Sequence, residues 1–171
     1  VLSKKDVFSR FKLNELCING RVPKFKSAYT SSGFSGDYAY GFITEKDWNQ
    51  QAEVLDIYLD YMFPEEKPFI INSDLMGVEI NSSHPVLPTG IRADLVCAYI
   101  EYFYEYFDYC VIVCDPHFVK EILEYGKTKS INWKKYKILF LIGGAYSSVN
   151  YLRYVKSVIS DDSDIILSFG L

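Results

Sequence analysis

Three almost unbroken apolar runs in the second half of the sequence constrain its fold more than any other feature. They extend over Tyr109–Cys114, Lys137–Ile142 and Ile165–Ser168. Strands without polar alternation are buried on both faces, as in a parallel sheet that is covered by helices. Amphipathic helical patterns separate the runs, which indicates βαβαβ connections of the usual right-handed kind. The predicted fold class is therefore α/β, a parallel-sheet βαβαβ core covered by helices.

The earlier part of the sequence contains a helix, a strand and a long connection. Apolar side chains recur at helical spacing from Thr44 to Met62, and Asp47 stands where it would help such a helix start. The short apolar run Pro68–Asn72 predicts a strand, and residues 73–90 are predicted to be mostly connection. A second helix is predicted over Arg92–Phe107.

Capping residues predict where the later helices begin and end. Asp115 and Pro116 are typical of the N-cap and the first helical position, and Gly126 is predicted to close that helix as the residue after its last turn. Ser147 is predicted to cap the last helix.

Composition and charge exclude several classes of protein. Of 171 residues, 49% are hydrophobic and 23% are charged, a balance typical of a globular domain. The net charge of -4 leaves no basic field for nucleic acid, and the apolar runs are shorter than the ~20 residues that span a bilayer. Four cysteines without a CxxC pair and two histidines argue against a zinc site and for a reduced, cytoplasmic setting. No metal-ligating residue is predicted.

Loops that follow the three runs form the first candidate site. Ligands of open parallel sheets bind beyond the carboxyl ends of the strands, so Cys114–Pro116, Gly143–Ala145 and Phe169–Gly170 are predicted to meet at one edge. Gly143 and Gly144 would let a flat ligand approach the backbone, because they have no Cβ. A tight turn from strand to helix explains the same glycines equally well, so both interpretations stay open.

The second candidate is Tyr29–Asp37, which concentrates hydroxyl groups and glycines in one turn between two predicted strands. Hydroxyl and backbone N–H donors in such a turn are what phosphate binding requires. The segment lacks the lysine and the spacing of a Walker A loop. Taken alone, it is more simply interpreted as a polar hairpin turn.

Three segments carry a resemblance to a known family. In chain order they are Thr30–Gly36, Ile142–Ala145 and Ser168–Leu171. They resemble, respectively, the Ser/Thr/Gly phosphate loop, the Gly-Gly-Ala/Glu segment along the adenine, and the opening of the aromatic-Gly-x-Thr-Glu motif of the adenylate-forming (acyl-CoA synthetase) superfamily. The chain is most similar to the phenylacetate–CoA ligase-like and acyl-protein synthetase-like branch, and the similarity extends over nearly its whole length.

The resemblance implies an acid–thiol ligase. With ATP and Mg2+, a carboxylic acid would be activated as an acyl-adenylate, and a thiol of CoA or of a carrier protein would then take the acyl group. The implied triphosphate-binding residues are Thr30, Ser31, Ser32, Gly33, Ser35 and Gly36. The implied adenine-binding residues are Gly143, Gly144, Ala145, Phe169 and Gly170, and the implied acyl-pocket residues are His84, His117 and Tyr146.

The sequence also departs from the family pattern. Phe34 replaces a usual hydroxyl, and Asp37 replaces a usual lysine, where a carboxylate would repel a triphosphate. The family's Thr-Glu pair, catalytic lysine and small C-terminal domain would follow Leu171. Residues 1–171 are therefore interpreted as a partial N-terminal adenylation domain without catalytic residues, inactive by itself. The alternative is a non-catalytic nucleotide-binding or protein-interaction module that retains the fold.

Overall fold

A computed structural model describes residues 3–31 and 36–168, which fall into two compact units, residues 1–54 and 55–171. The first unit contains helix α1 (Lys4–Phe8), strands β1 (Ser27–Thr30) and β2 (Tyr40–Ile43), and the start of helix α2 (Glu45–Met62). Helix α2 begins as the sequence predicts, because Thr44 Oγ1 accepts a hydrogen bond from the Asp47 N–H while the Asp47 carboxylate accepts one from the Thr44 N–H.

The hairpin of the first unit has a regular antiparallel register. Ser27 pairs with Ile43 and Thr30 pairs with Tyr40, so the predicted pair of strands around the hydroxyl-rich turn is confirmed. None of the described residues of this unit, 3–31 and 36–54, is buried. The described part of this unit therefore has hydrogen-bonded secondary structure and no buried hydrophobic side chain.

The second unit is built on a five-stranded, fully parallel sheet, which confirms the α/β fold class. The strands lie in the order β4-β3-β5-β6-β7. Its elements in chain order are β3 (Pro68–Asn72), β4 (Val86–Pro88), α3 (Ala93–Phe103), β5 (Tyr109–Cys114), α4 (Pro116–Thr128), β6 (Ile138–Gly143), α5 (Val149–Val158) and β7 (Asp164–Ser168). None of the helices in the described part of the chain combines the length and the apolar character needed to cross a membrane.

Alternate side chains of the central strands form two separate cores. On one face, Phe69, Ile112 and Phe140 pack with buried side chains of α3, α4 and α5. On the other face, Ile70 and Val111 pack with Leu59 near the end of α2. Both faces of the sheet are thus buried, which explains why the runs lack polar alternation.

The strand order reverses at β3. After β3 the chain passes to β4 through a connection whose Ile80 packs on the α2 face, and it then returns through α3 on the opposite face to β5. Connections that run in opposite directions over opposite faces have the same hand, as expected for parallel sheets. The topological switch point therefore lies between the carboxyl ends of β3 and β5.

Several predicted boundaries differ from the structure. Strand β4 lies within the segment that was predicted to be connection, and α3 is followed by a 3-10 turn over residues 104–106. Helix α4 continues past Gly126, which is buried inside it. Ser148, not Ser147, caps α5, because the Ser148 side chain accepts the hydrogen bond from the Tyr151 N–H.

Candidate functional site

Two helices begin side by side at the carboxyl edge of the sheet, after the neighbouring strands β5 and β6. Asp115 caps α4, and its carboxylate accepts hydrogen bonds from the N–H groups of His117 (2.8 Å) and Phe118 (3.2 Å). Ser148 caps α5, with its Oγ 3.2 Å from the Tyr151 N–H. Strand β5 leads directly into α4, and a loop over residues 144–148 leads from β6 to α5, so the first turns of both helices lie above the same edge.

A cavity of about 270 Å³ lies between these two first turns, and we call it the α4–α5 cavity. Its lining residues are Pro116, His117, Lys120, Tyr146, Ser147, Ser148 and Tyr151. His117 in the first turn of α4 and Tyr146 in the loop before α5, two of the three residues predicted for the acyl pocket, thus line the same cavity. Both side chains are exposed, so the cavity opens to solvent.

Tyr151 holds the two helices together at the base of the cavity. Its hydroxyl donates a short hydrogen bond to the backbone carbonyl of Pro116. Burial, together with the nearby Cys114 and Asp115, raises the pKa of Tyr151 to about 12. The phenol therefore stays protonated at neutral pH and keeps its role as the donor.

His84, the third predicted pocket residue, lies elsewhere. It precedes β4 by two residues, at the amino end of this strand, and it does not line the α4–α5 cavity. Its Nε2 is 3.4 Å from the Asp60 carboxylate of α2, a distance at the outer limit of an ion pair and without hydrogen-bond geometry. The structure therefore places His84 at the opposite edge of the sheet from His117 and Tyr146.

Gly143 and Gly144 have different structural roles. Gly143 pairs with Ser168 of β7, and a Cβ at Gly143 would lie 2.9 Å from the Ser168 carbonyl oxygen, so a side chain there would push β6 and β7 apart. Gly144 has a φ of +83° and open space around the position of a Cβ. The first glycine is explained by the sheet, whereas the second makes the turn and leaves its backbone accessible. Ala145 follows as a half-buried residue.

The predicted phosphate loop belongs to the first unit and is described only in part. Thr30 is exposed at the end of β1, and Ser31 Oγ accepts a hydrogen bond of 3.0 Å from the Ala39 N–H. Gly36 has a φ of +84°. Four loop residues lie outside the described residues, as do two predicted adenine-binding residues: Ser32, Gly33, Phe34, Ser35, Phe169 and Gly170.

Asp37, where the resembling family usually has a lysine, is engaged within the first unit. Its carboxylate accepts a 2.8 Å hydrogen bond from the hydroxyl of Ser9. This contact gives the carboxylate a partner but leaves its negative charge in place.

Sequence reasoning missed Lys120, Ser147, Ser148 and Tyr151 as lining residues. Lys120 lies one turn after Pro116, on the side of α4 that carries His117. Helical spacing counted from the predicted N-cap would therefore have placed Lys120 beside His117. The Oγ of Ser147 is buried and has no hydrogen-bond partner among the described residues. A buried hydroxyl without a partner carries a desolvation cost, so a ligand acceptor at this point would be stabilised.

A second polar cluster, at the switch point, is satisfied internally. The hydroxyls of Ser73 and Thr89 are 2.6 Å apart, and Thr89 also donates to the Gly90 carbonyl at 3.0 Å. The Ser73 N–H donates to the Val113 carbonyl at 2.9 Å, which closes the gap between β3 and β5. These buried groups are explained by the fold and are not assigned to a ligand.

No protein-family model matches the sequence, and no curated protein matches it. Within residues 3–31 and 36–168, no three His, Cys, Asp or Glu side chains come together as metal ligands would.

Proposed function

We propose that this chain supplies the nucleotide- and acid-binding part of a ligase that activates a carboxylic acid with ATP and passes the acyl group to a thiol. The observation that carries this proposal is the α4–α5 cavity, in which His117 and Tyr146 meet. Tyr146 follows the accessible turn of Gly144 by only two residues. The loop after β6 would therefore contact both a flat nucleobase, at Gly144, and a small acid, at Tyr146.

In this proposal each residue has a simple physical task. The backbone at Gly144 would admit the adenine, since no Cβ occupies the space above it. His117 and Tyr146 would hold the acid by hydrogen bonds, so that its carboxylate stays near the α-phosphate and the reaction becomes effectively unimolecular. When bound, Mg2+ would offset the charge of the leaving pyrophosphate, and no described residue is assigned to hold it.

A second candidate function, a non-catalytic nucleotide-binding or interaction module, is favoured by one observation. Asp37 brings a negative charge to the hydroxyl-rich hairpin, where a lysine would attract a triphosphate. A module of this kind would bind nucleotide with an affinity that does not change when a carboxylic acid is added. The acid-activating function instead requires that acid and ATP bind to the chain together.

The test is a calorimetric titration of the chain with ATP, comparing wild type with Gly144→Ala. A methyl group at Gly144 would occupy the accessible backbone, so we expect ATP affinity to fall at least about tenfold, or ~1.4 kcal/mol. The positive φ at this position also adds backbone strain. Gly20→Ala is the matched control, because Gly20 has a φ of +66° and equally open surroundings in the first unit.

A second variant tests the hairpin. Thr30→Val removes one exposed hydroxyl and keeps the shape of the side chain, whereas any replacement of Gly36 would be strained by its positive φ alone. We expect Thr30→Val to weaken ATP binding. Wild-type chain that does not bind ATP, or variants that bind it as tightly as wild type, would contradict the proposed function.

A further inference from the structure

The α4–α5 cavity combines a largely apolar surface with several hydrogen-bonding groups. Pro116 and the rings of Tyr146 and Tyr151 supply apolar surface, while His117 and Lys120 offer nitrogen donors and the serines and tyrosines offer hydroxyls. Its volume of about 270 Å³ lies just below the range of roughly 300–1,000 Å³ that is usual for small-molecule sites. Such a site suits a short molecule whose carbon atoms contact the apolar surface and whose polar end reaches the hydrogen-bonding groups.

The electrostatics of the cavity favour an anion. Lys120 takes part in none of the ion pairs found among residues 3–31 and 36–168, so its charge is not used by the protein. The N-termini of α4 and α5 add positive potential from two directions. Asp115 opposes this, and its carboxylate already accepts hydrogen bonds from the N–H groups of His117 and Phe118 at the N-terminus of α4, so Lys120 and the N-terminus of α5 supply most of the remaining positive potential.

One group in the cavity wall specifically lacks an acceptor. The Oγ of Ser147 is buried and unpaired in the described structure, although hydroxyls at such positions are normally hydrogen-bonded. The neighbouring Ser148 and Tyr151 hydroxyls already have partners within the protein. Ser147 and Lys120 both line the cavity, so a bound carboxylate would offer acceptors to both residues.

We infer that the α4–α5 cavity holds the distal carboxylate of a short dicarboxylic acid, with Lys120 and Ser147 as the residues that determine this specificity. The inference rests on the proposed function, since it concerns the acid that this function activates. The second carboxylate of the acid would remain free for the α-phosphate of ATP. Monoacids with apolar tails would leave Lys120 and Ser147 without a partner.

Calorimetric titration with glutarate, and with pentanoate as the monoacid of equal length, tests the inference on the full chain. We expect glutarate to bind at least about tenfold more tightly than pentanoate, because a charge-assisted hydrogen bond is worth a factor of this size. Lys120→Gln should remove this preference. Lys127→Gln, which removes the same charge from the last turn of α4, should keep it.

Ser147→Ala separates binding from folding. The Ser147 hydroxyl has no partner within the described protein, so its removal should weaken glutarate binding without lowering the urea midpoint. Equal affinities for glutarate and pentanoate, or a preference that survives Lys120→Gln, would overturn the inference while ATP binding still supports the proposed function. Glutarate binding that depends on Lys120, in a chain that does not bind ATP, would confirm the cavity's preference and overturn the proposed function.

Discussion

Asp56 illustrates how one carboxylate fixes a loop in this protein. It lies on α2 and accepts a hydrogen bond of 2.5 Å from the Ser82 hydroxyl and one of 3.0 Å from the Ser83 N–H. Partial burial by itself would raise the pKa of Asp56, but these hydrogen bonds from Ser82 and Ser83 outweigh it and lower the pKa. The ionised carboxylate therefore stabilises the folded connection between β3 and β4.

A pH dependence of stability follows from this lowered pKa. A carboxyl with a lower pKa in the folded state stabilises the protein above its unfolded pKa, and this stabilisation is lost as the pH falls through the folded value. We expect Asp56→Asn to reduce the urea midpoint most at pH 7, and the difference from wild type to shrink below about pH 4.

Urea melts at a series of pH values measure this effect. Glu53→Gln is a suitable control, because it removes an exposed carboxylate from the same helix. A difference between Asp56→Asn and wild type that stayed constant from pH 7 to pH 3 would show that the hydrogen bonds do not depend on ionisation.

At the scale of elements, two opposing effects decide how replacing Gly126 of α4 by alanine would change stability. Gly126 is buried within α4, and a Cβ built on it would overlap the indole ring of Trp133. Glycine costs a helix interior roughly 0.5–1 kcal/mol relative to alanine. Overpacking a core typically costs about 1–3 kcal/mol, so the indole contact should decide the outcome.

We therefore predict that Gly126→Ala lowers the free energy of unfolding, by about 1 kcal/mol or more. Chemical denaturation of the variant measures this, with Lys127→Ala as a control for helix propensity at the exposed neighbouring position. A more stable Gly126→Ala variant would show that Trp133 moves away at little cost and that propensity dominates.

The elements that the sequence predicts well are those whose signals are local. Strands β5, β6 and β7 coincide closely with the apolar runs, and the N-cap of α4 is Asp115 as predicted. Strand β4 has only three residues and ends at Pro88, so no periodicity could reveal it. Gly126 resembles a helix end in sequence, whereas in the structure it lies inside the helix and leaves room for the ring of Trp133.

The candidate site was predictable to the extent that it depends on strand order. His117 and Tyr146 each follow a buried strand, and parallel strands bring such residues to one edge. His84 precedes a strand, so its position depended on β4, which the sequence did not reveal. The unpaired Ser147 hydroxyl required coordinates, since hydrogen-bond satisfaction is a property of the packed state.

At the scale of the whole molecule, the two units differ in how they are stabilised. The second unit contains both hydrophobic cores, whereas the described part of the first unit contains no buried residue. Stability within a protein follows buried apolar contacts, so opening should require little free energy in the first unit and much more in the second.

This contrast can be measured through the four free thiols. Cys97, Cys110 and Cys114 are buried in the second unit, and Cys17 is half-buried in the first. Burial, together with the nearby Glu101 and Asp94, raises the pKa of Cys97 to about 12, and burial raises the pKa of Cys110 well above its usual range. Since only the thiolate reacts readily, we expect an alkylating reagent to label Cys17 rapidly and the other three slowly and together.

Mass spectrometry gives the number of labelled cysteines in each chain as a function of time. Labelling of Cys97, Cys110 and Cys114 at clearly different rates would contradict cooperative opening of the second unit.

Three sulfur atoms are buried in the core on one face of the sheet, so the rate at which they are labelled reports how often the second unit opens. Their labelling rate, divided by the rate in the unfolded chain, gives the equilibrium between open and closed forms under native conditions. No dye, tag or denaturant is needed. A small molecule that binds only the closed form should lower the labelling rate in proportion to its occupancy. Labelling of the native cysteines can therefore be used to detect ligands of this protein.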